Sequence, residues 1–292
     1  MLELNKIYNM DCLDGLKLLD DNSIDLTVTS PPYDNLRTYN GFSFDFENIA
    51  KQLYRVTKQG GVVVWIVGDQ TINGSESGTS FKQALYFKEC GFNLHDTMIW
   101  EKNSSTFPSN EKSNRYTQIY EYMFIFSKGK PKTSNLIIDK KNIWAGSKDF
   151  SGKIKNPVPE YSSRNNIWKI TTSFNEETGH PAVFPEELVN DHIISWSNKG
   201  DVVMDIFMGS GTTAKMAIVN DRKWIGFEIS SEYCEMINKR INGIYPQLSM
   251  FDTIDTGSEI HQGCECDGEY IEIIHEKEKS WPTKKNWTQY MN

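Results

Sequence analysis

The segment Ser30-Pro31-Pro32-Tyr33 places a hydroxyl, a stiff backbone and an aromatic ring directly after a predicted strand, Ile24–Thr29. The Ser30 hydroxyl and the Pro31 carbonyl could accept the two hydrogens of an exocyclic amine and stabilise the positive charge that develops when its nitrogen is alkylated. The two prolines limit reorganisation of the turn, and Tyr33 offers a flat face for an extruded base. The alternative is purely structural: the prolines end the strand and Tyr33 packs locally.

A second group of residues has the pattern of a nucleotide-binding corner. The predicted strand Asp201–Phe207 is followed by Gly209-Ser210-Gly211 and by a predicted helix that begins at Thr212. Glycines let the backbone approach a ligand, and a helix start presents free N–H groups. Glu228 ends the next predicted strand, where an acid can accept both hydroxyls of a ribose. The pattern is weak by itself, because such turns are common and Glu228 could equally favour the positive end of the following helix.

The elements that must position these residues alternate between strands and helices, which predicts an α/β fold with a mostly parallel sheet. Phe92–Trp100 and Tyr120–Ser127 are predicted to form an antiparallel pair late in that sheet. Residues 130–178 are rich in Lys, Asn, Ser and Pro and keep no period, which favours an irregular insert. Further strands are predicted at Val62–Val67 and Trp224–Phe227, and helices at Asp45–Lys58 (ended by Gly60-Gly61), Ser80–Cys90, Pro185–Trp196, Thr212–Asn220 and Ser231–Ile241 with Ser230 as N-cap.

The formal net charge of −8 is unevenly distributed. Residues 252–292 hold nine acids and four lysines, so this tail accounts for −5 of the total. Between Lys128 and Lys169, ten Lys and Arg residues stand against three acids. A local positive field of this kind suits phosphate binding even in an acidic protein, although a charged stretch is also typical of a solvated loop.

Composition limits the class of protein. Hydrophobic residues make up 38% of a chain of 292 residues, enough for a sizeable core. No stretch approaches the roughly 18–20 apolar residues that span a membrane, and Met1–Lys6 lacks the pattern of a secretory signal, so we expect a cytoplasmic protein with no membrane partner. The tail holds Cys264-x-Cys266 with His261 and His275 nearby, but one Cys-x-Cys lacks the paired spacing of a zinc site, and we predict no metal.

Taken together, Thr29–Tyr33 and Asp205–Thr213 resemble the motifs of the DNA amino-methyltransferases. The catalytic-type motif precedes the cofactor-type motif and a long variable region separates them, as in the circularly permuted beta class. The resemblance covers about residues 5–242 and implies a Rossmann-like, S-adenosylmethionine-dependent methyltransferase fold with an inserted recognition region. It divides the chain into a catalytic half (1–130), a target-recognition insert (131–178), a cofactor-binding half (179–245) and an acidic tail or accessory segment (246–292).

The resemblance also implies roles for individual residues, with S-adenosylmethionine as the cofactor. The implied catalytic residues are Ser30, Pro31, Pro32 and Tyr33. The implied cofactor-binding residues are Asp11 and Cys12 at the adenine, Glu228 at the ribose, Phe207, Gly209, Ser210, Gly211 and Thr212 around the methionine portion, and Pro185 before the helix that helps to hold it. The implied DNA-binding residues are Tyr122 near the target base and Lys153, Lys155 and Arg164 in the insert.

Several of these positions have structural alternatives. Asp11 could instead cap a helix that begins near Leu13. Tyr120 and Tyr122 alternate along a strand, so we expect one of them to face the core. Trp168 is expected to be a packing anchor within the insert.

The first position of the catalytic motif bears on the target base. In the family that the motifs resemble, a serine there usually accompanies methylation of cytosine N4 and an aspartate that of adenine N6. The resemblance therefore implies site-specific, direct in-line methylation of N4 of a flipped cytosine in double-stranded DNA, with adenine N6 as the alternative. A cognate restriction endonuclease is an alternative partner beside DNA that the sequence leaves open. The oligomeric state is not defined by the sequence.

Three other functional classes stay open. A catalytically silent DNA-binding protein could share the fold, but the intact motifs argue against it. A methyltransferase of protein amide nitrogen is disfavoured by Ser30 and by the long basic insert. A dehydrogenase is compatible with Ala214 at the third position of a dinucleotide motif, but it gives no reason for Ser-Pro-Pro-Tyr.

Overall fold

The computed structural model describes residues 2–32, 44–103, 105, 114–147, 157–172 and 184–244. The chain separates into two compact units, residues 1–250 and 251–292, and all described residues belong to the first unit. The tail and its candidate metal ligands therefore lie outside the described residues. The division of the first unit into two halves and an insert stays a prediction.

Strands and helices alternate along the described chain, as the hydrophobic pattern predicted. The strands are β1 (Lys6–Asn9), β2 (Ile24–Thr29), β3 (Thr57–Val67), β4 (Thr71–Ile72), β5 (Ser75–Glu76), β6 (Asn93–Glu101), β7 (Tyr120–Ser127), β8 (Ile138–Lys141), β9 (Tyr161–Ser163), β10 (Ile167–Lys169), β11 (Val202–Asp205) and β12 (Lys223–Glu228). The helices are α1 (Cys12–Lys17), α2 (Phe46–Val56), α3 (Thr79–Glu89), α4 (Glu186–Trp196), α5 (Thr212–Val219) and α6 (Ser231–Asn242).

Eight of these strands form one sheet in the order β1-β12-β11-β2-β3-β7-β6-β10. Neighbouring strands from β1 to β3 are parallel, whereas β7 is antiparallel to both β3 and β6. The predicted mostly parallel α/β sheet with a late antiparallel pair is therefore confirmed. The last strands of the described chain, β11 and β12, insert between the first two, which is the permuted order that the motif sequence implied.

Both faces of the sheet are covered by helices. Along β3, Val64 and Ile66 point into one core, and Val63 and Trp65 point into the other. Helices α4, α5 and α6 pack on the first face and α1, α2 and α3 on the second. A strand buried on both sides favours a continuous apolar sequence, as in Val62–Val67 of β3. All six residues of β2 are also buried, although Asp25, Thr27 and Thr29 are polar.

The prediction that Gly60-Gly61 ends a helix was wrong. Helix α2 ends at Val56, where the Thr57 hydroxyl donates to the Leu53 carbonyl at 2.6 Å. Both glycines lie inside β3, and Gly60 has a φ of 79°. The pairing of β2 with β3 is irregular in this region, so the glycines accommodate a bulge rather than a helix end.

The insert is more regular than its composition predicted. Strands β8 and β9 form an antiparallel ribbon, and β10 joins the main sheet parallel to β6. Trp168 in β10 is buried and stacks on His192 of α4 with ring centroids 4.6 Å apart, which confirms it as a packing anchor. Burial lowers the pKa of His192 to about 3, so this stacked ring is neutral.

No helix within the described ranges is long and apolar enough to cross a bilayer. Cytoplasmic localisation stays a prediction.

Helix α1 packs against β12 through a glycine. A Cβ added to Gly15 would lie 2.3 Å from a ring carbon of Phe227, which is fully buried. We expect Gly15→Ala to lower the free energy of unfolding by about 1–3 kcal/mol, because the ring must shift within a close-packed core. Denaturant unfolding measures this change.

The matched control for this substitution is Gly243→Ala. Gly243 has a φ of −71°, and a Cβ there would lie 3.5 Å from the Arg240 carbonyl oxygen, an ordinary contact. We expect its effect to stay within about 0.5 kcal/mol. Equal unfolding midpoints for the two variants would contradict the packing argument.

Candidate active site

The carboxyl ends of four neighbouring parallel strands meet at one edge of the sheet. Strand β1 leads to Asp11, β12 ends at Glu228, β11 leads to the Gly209–Gly211 loop, and β2 leads to Ser30. Ligands of open α/β sheets bind beyond such ends. The fold therefore gathers at one edge two motifs that are far apart in the sequence.

The Ser-Pro-Pro turn begins directly after β2, as the prolines predicted. Ser30 and Pro32 are half-buried and Pro31 is buried. The Thr29 hydroxyl donates to Asp205 Oδ1 at 2.6 Å, so the last residue of β2 is tied to the last residue of β11. Tyr33 lies outside the described residues, and its role stays a prediction.

The glycine loop is held by Glu228. The Gly209 N–H donates to Glu228 Oε2 at 2.8 Å, and the Ser230 N–H donates to Oε1 at 3.0 Å. Each carboxylate oxygen can accept two hydrogen bonds, so the same group has capacity for ribose hydroxyls. Burial raises the pKa of the Glu228 carboxyl, and the backbone N–H donors oppose that rise. The residue thus fits the implied ribose-binding role, and it also shapes the loop.

Close packing explains the second glycine of this loop. Gly211 has a φ of 80°, and a Cβ there would lie 3.0 Å from Ile237 of α6. The loop is followed directly by α5, whose first residue, Thr212, is buried. The hydroxyl oxygens of Thr212 and Ser210 are 3.1 Å apart. Phe207 is half-buried, with its ring edge-on to Phe44 at 5.8 Å.

An ion-pair cluster braces the loop from α6. Arg240 donates through Nη1 to the Ser210 carbonyl at 2.9 Å and through Nη2 to Glu186 Oε1 at 2.7 Å. Glu186 also pairs with Lys215 of α5. Because Glu186 follows the buried Pro185, this cluster ties the start of α4 to the loop through Arg240. Contact of Pro185 with a cofactor stays a prediction, and the sequence motifs gave no role to Arg240 or Glu186.

The segment after β1 has a structural role that the sequence left open. Asp11 Oδ1 accepts the Leu13 N–H at 2.8 Å and caps α1, so the capping alternative is observed. Cys12 is buried, and burial raises the pKa of its thiol to about 12. The Asn9 side chain donates to the Glu228 carbonyl at 3.0 Å, which fixes this segment beside Glu228. Contact of Asp11 and Cys12 with an adenine stays a prediction.

Tyr122 packs against the core on the second face of the sheet, which confirms the prediction that one of Tyr120 and Tyr122 faces the core, although the two residues do not alternate between faces. Residues two apart in a strand share a face, and both tyrosines are half-buried with ring centroids 5.5 Å apart. Tyr122 also stacks on Phe124 at 5.3 Å and meets Phe81 edge-on at 5.3 Å. Burial raises the pKa of Tyr122 to about 12. Its position near a target base stays a prediction.

The described partners of Arg164 are carboxylates of the protein itself. Its guanidinium donates to Asp139 at 2.9 Å and to Asp191 at 2.6 Å, and lies 5.3 Å from the centroid of the Trp168 ring. This geometry gives Arg164 a structural role in tying the insert to α4, and it offers no support for the predicted DNA contact. Lys153 and Lys155, the other two predicted contacts of the insert, lie outside the described residues.

A family model described as DNA methylase (N6_N4_Mtase) matches residues 24–239. The chain belongs to this DNA methylase family. It is a DNA methyltransferase of the group that acts on cytosine N4 or adenine N6. The orphan methyltransferase M.BamHII of Bacillus amyloliquefaciens is similar to it, with 59% identity over 242 residues that cover 76% of this chain and 90% of the relative.

Solved structures share the fold of this methyltransferase. The cytosine-N4-specific PvuII DNA methyltransferase superimposes with a TM-score of 0.62 at 24% identity and covers 83% of this chain and 91% of its own. The M1.HpyAVI–SAM complex superimposes with a TM-score of 0.57 at 26% identity, and the match covers 80% of this chain and 98% of that chain.

The first residue of the cofactor-type motif, Asp205, is a buried carboxylate to which the sequence assigned no role. Asp205 is 2% exposed and lies between the Ser-Pro-Pro turn and the glycine loop. Burial raises its pKa to about 6, against the effect of its hydrogen-bond donors. The available signal was an acid at the end of an otherwise apolar strand, Val202–Asp205. Within the described residues, no group of three or more His, Cys, Asp or Glu side chains could hold a metal ion.

Proposed function

We propose that this protein is a site-specific DNA methyltransferase that moves a methyl group from S-adenosylmethionine to N4 of a flipped cytosine by direct in-line transfer. The observation that carries the proposal is the adjacency of β2 and β11, whose ends lead to the Ser30 turn and the Gly209–Gly211 loop. An amine held at the turn then lies beside a donor held at the loop. Positioning of this kind is the main requirement of a direct displacement.

The residues of the loop fit a nucleoside cofactor. When bound, S-adenosylmethionine supplies an activated methyl group on a sulfonium. Glu228 would accept its ribose hydroxyls, and the Gly209–Gly211 backbone would lie against its methionine portion. The related M1.HpyAVI structure contains this cofactor, which supports the assignment.

The Ser-Pro-Pro turn would act on the target amine. The Ser30 hydroxyl and the Pro31 carbonyl accept its two hydrogens, and Tyr33 stacks on the extruded base. The described cysteines support a mechanism without a covalent enzyme intermediate. Burial raises the pKa of Cys12, Cys90 and Cys234, which disfavours the thiolate that a nucleophilic cysteine needs.

The choice of cytosine rests on Ser30, a neutral acceptor at the position where relatives that methylate adenine usually carry an aspartate. Both residue types can accept from an amino group. Adenine N6 is therefore the second candidate, and the family contains both activities.

Nucleoside analysis of methylated DNA tests the proposal. The purified chain is incubated with duplex DNA and methyl-tritiated S-adenosylmethionine, and the DNA is digested and separated by mass. We expect N4-methyldeoxycytidine as the labelled nucleoside. N6-methyldeoxyadenosine would establish the second candidate, and an unlabelled digest together with no cofactor binding would favour a silent DNA-binding protein. Genome-wide mapping in cells that express the chain then gives the recognition sequence.

A further inference from the structure

Asp205 joins three segments of the site through one carboxylate. Its Oδ1 accepts the Thr29 hydroxyl at 2.6 Å and the Phe207 N–H at 3.0 Å. Its Oδ2 accepts the Thr213 hydroxyl at 2.7 Å. Thr29 directly precedes Ser30. Phe207 lies two residues before the Gly209–Gly211 loop, and Thr213 lies in the first turn of α5.

All three hydrogen bonds require the side chain of residue 205 to act as the acceptor. A carboxylate accepts at both oxygens and donates nowhere, so it satisfies all three donors together. A protonated acid or an amide at residue 205 would present a donor to one of them, and a threonine would have to turn its hydroxyl. All three side chains that meet here are 2% exposed or less, so no water replaces a lost partner without rearrangement.

We propose that Asp205 is a positioning residue that fixes the Ser-Pro-Pro turn relative to the Gly209–Gly211 loop. It acts through Thr29 on the side of the target amine, and through Phe207 and Thr213 on the side of the methyl donor. Because the reaction demands a short, aligned approach of nitrogen to methyl carbon, a small displacement of the turn lowers turnover without preventing the binding of either substrate. The inference rests on the proposed function, since it concerns the same site.

Substitutions of Thr29 separate positioning from folding. Thr29→Val keeps the shape of a buried strand residue but removes the hydroxyl, whereas Thr29→Ser keeps the hydroxyl. We expect Thr29→Val to reduce kcat by about 10-fold to 100-fold with a cofactor Kd within about threefold of wild type. Thr29→Ser should retain kcat within about threefold, because the bond to Asp205 survives. Single-turnover methyl transfer and calorimetric titration give the two quantities.

A double-mutant cycle tests whether the loss acts through Asp205. We expect Asp205→Asn to lower kcat, and Thr29→Val to add less than about threefold to that loss in the double variant. The matched control is Asp201→Asn, next to the opposite end of β11, where the carboxylate accepts the Asn198 N–H and pairs with Lys132. This control should leave kcat unchanged, and thermal melts of all variants report folding.

The pH profile supplies a readout that a packing role would not move. The groups that contact Asp205 from β2 and α5 are the Thr29 and Thr213 hydroxyls, and the charged group facing it from β12 is Glu228. Below about pH 6 the protonated carboxyl must donate, so kcat of the wild type should fall there. That fall should be absent in Asp205→Asn, which does not titrate.

The possible outcomes separate this inference from the proposed function. A wild-type chain without methyl transfer would overturn the proposed function. An active wild type in which Thr29→Val keeps full kcat, or in which the losses of Thr29→Val and Asp205→Asn simply multiply, would overturn the positioning role alone.

Discussion

Ser30→Ala is expected to reduce kcat by about 10²–10³-fold, the cost of removing one preorganised group that stabilises developing charge. In the proposed mechanism the Ser30 hydroxyl is one of two acceptors for the amine hydrogens, and the charge it would stabilise develops only as the methyl group is transferred. Cofactor affinity should stay nearly unchanged, because the glycine loop and Glu228 are intact. Single-turnover methyl transfer to duplex DNA and calorimetric titration with S-adenosylmethionine measure the two effects.

Ser23→Ala is the matched control for this substitution. The Ser23 hydroxyl donates to the Asp20 carbonyl at 2.7 Å, just before β2 and at the opposite end of that strand from Ser30. Its loss should leave kcat unchanged. If Ser30→Ala also retained kcat within about threefold, the turn would not hold the target amine.

Glu228→Ala is expected to weaken cofactor binding by about 1–3 kcal/mol, the scale of a lost hydrogen bond to a charged group. Two effects are expected to add. The ribose hydroxyls would lose their proposed acceptor, and the Gly209 N–H loses the partner that shapes the loop. Glu228→Gln should be intermediate, because its amide nitrogen faces the N–H of either Gly209 or Ser230. Calorimetric titration gives the dissociation constants.

The control for this prediction lies one turn along the chain. Glu232 is exposed in the first turn of α6 and carries the same charge, so Glu232→Ala tests whether charge alone matters. We expect its cofactor Kd to stay within about twofold of wild type, since exposed charges interact weakly in water. An unchanged Kd for Glu228→Ala would remove Glu228 from the cofactor site.

Elements with a strong local pattern could be predicted from the sequence, and elements made by distant partners could not. Strand β2 alternates apolar residues with polar ones and is ended by two prolines, and α6 has the predicted serine cap, whose hydroxyl accepts the Tyr233 N–H at 3.3 Å. Strand β10 has only three residues and exists because β6 lies beside it. Gly60-Gly61 misled the prediction because a bulge and a helix end use the same residue type.

The residues of the candidate site also fall into those that a local pattern indicates and those that depend on distant partners. Ser30 and the Gly209–Gly211 loop stand in motifs whose residue types indicate the chemistry proposed for them. Asp205 and Arg240 serve the site through partners that only the fold brings close. Thr29 and Asp205 are 176 positions apart in the chain. Local patterns carry no signal for such a pair, because the contact depends on the strand order that places β2 beside β11.

The strand order has a consequence for the synthesis of this protein. In the sheet, β1 pairs with β12, and one edge of β2 pairs with β11. While the ribosome is still adding residues as far as Trp196, neither β11 nor β12 exists. One edge of β2, a strand whose six residues are all buried in the finished fold, is then open to pairing with other nascent chains. The methyl-donor pocket can form only after β11 and β12 exist and connect β1 to β2, so we expect a chain that ends before β11 to be inactive and prone to aggregate.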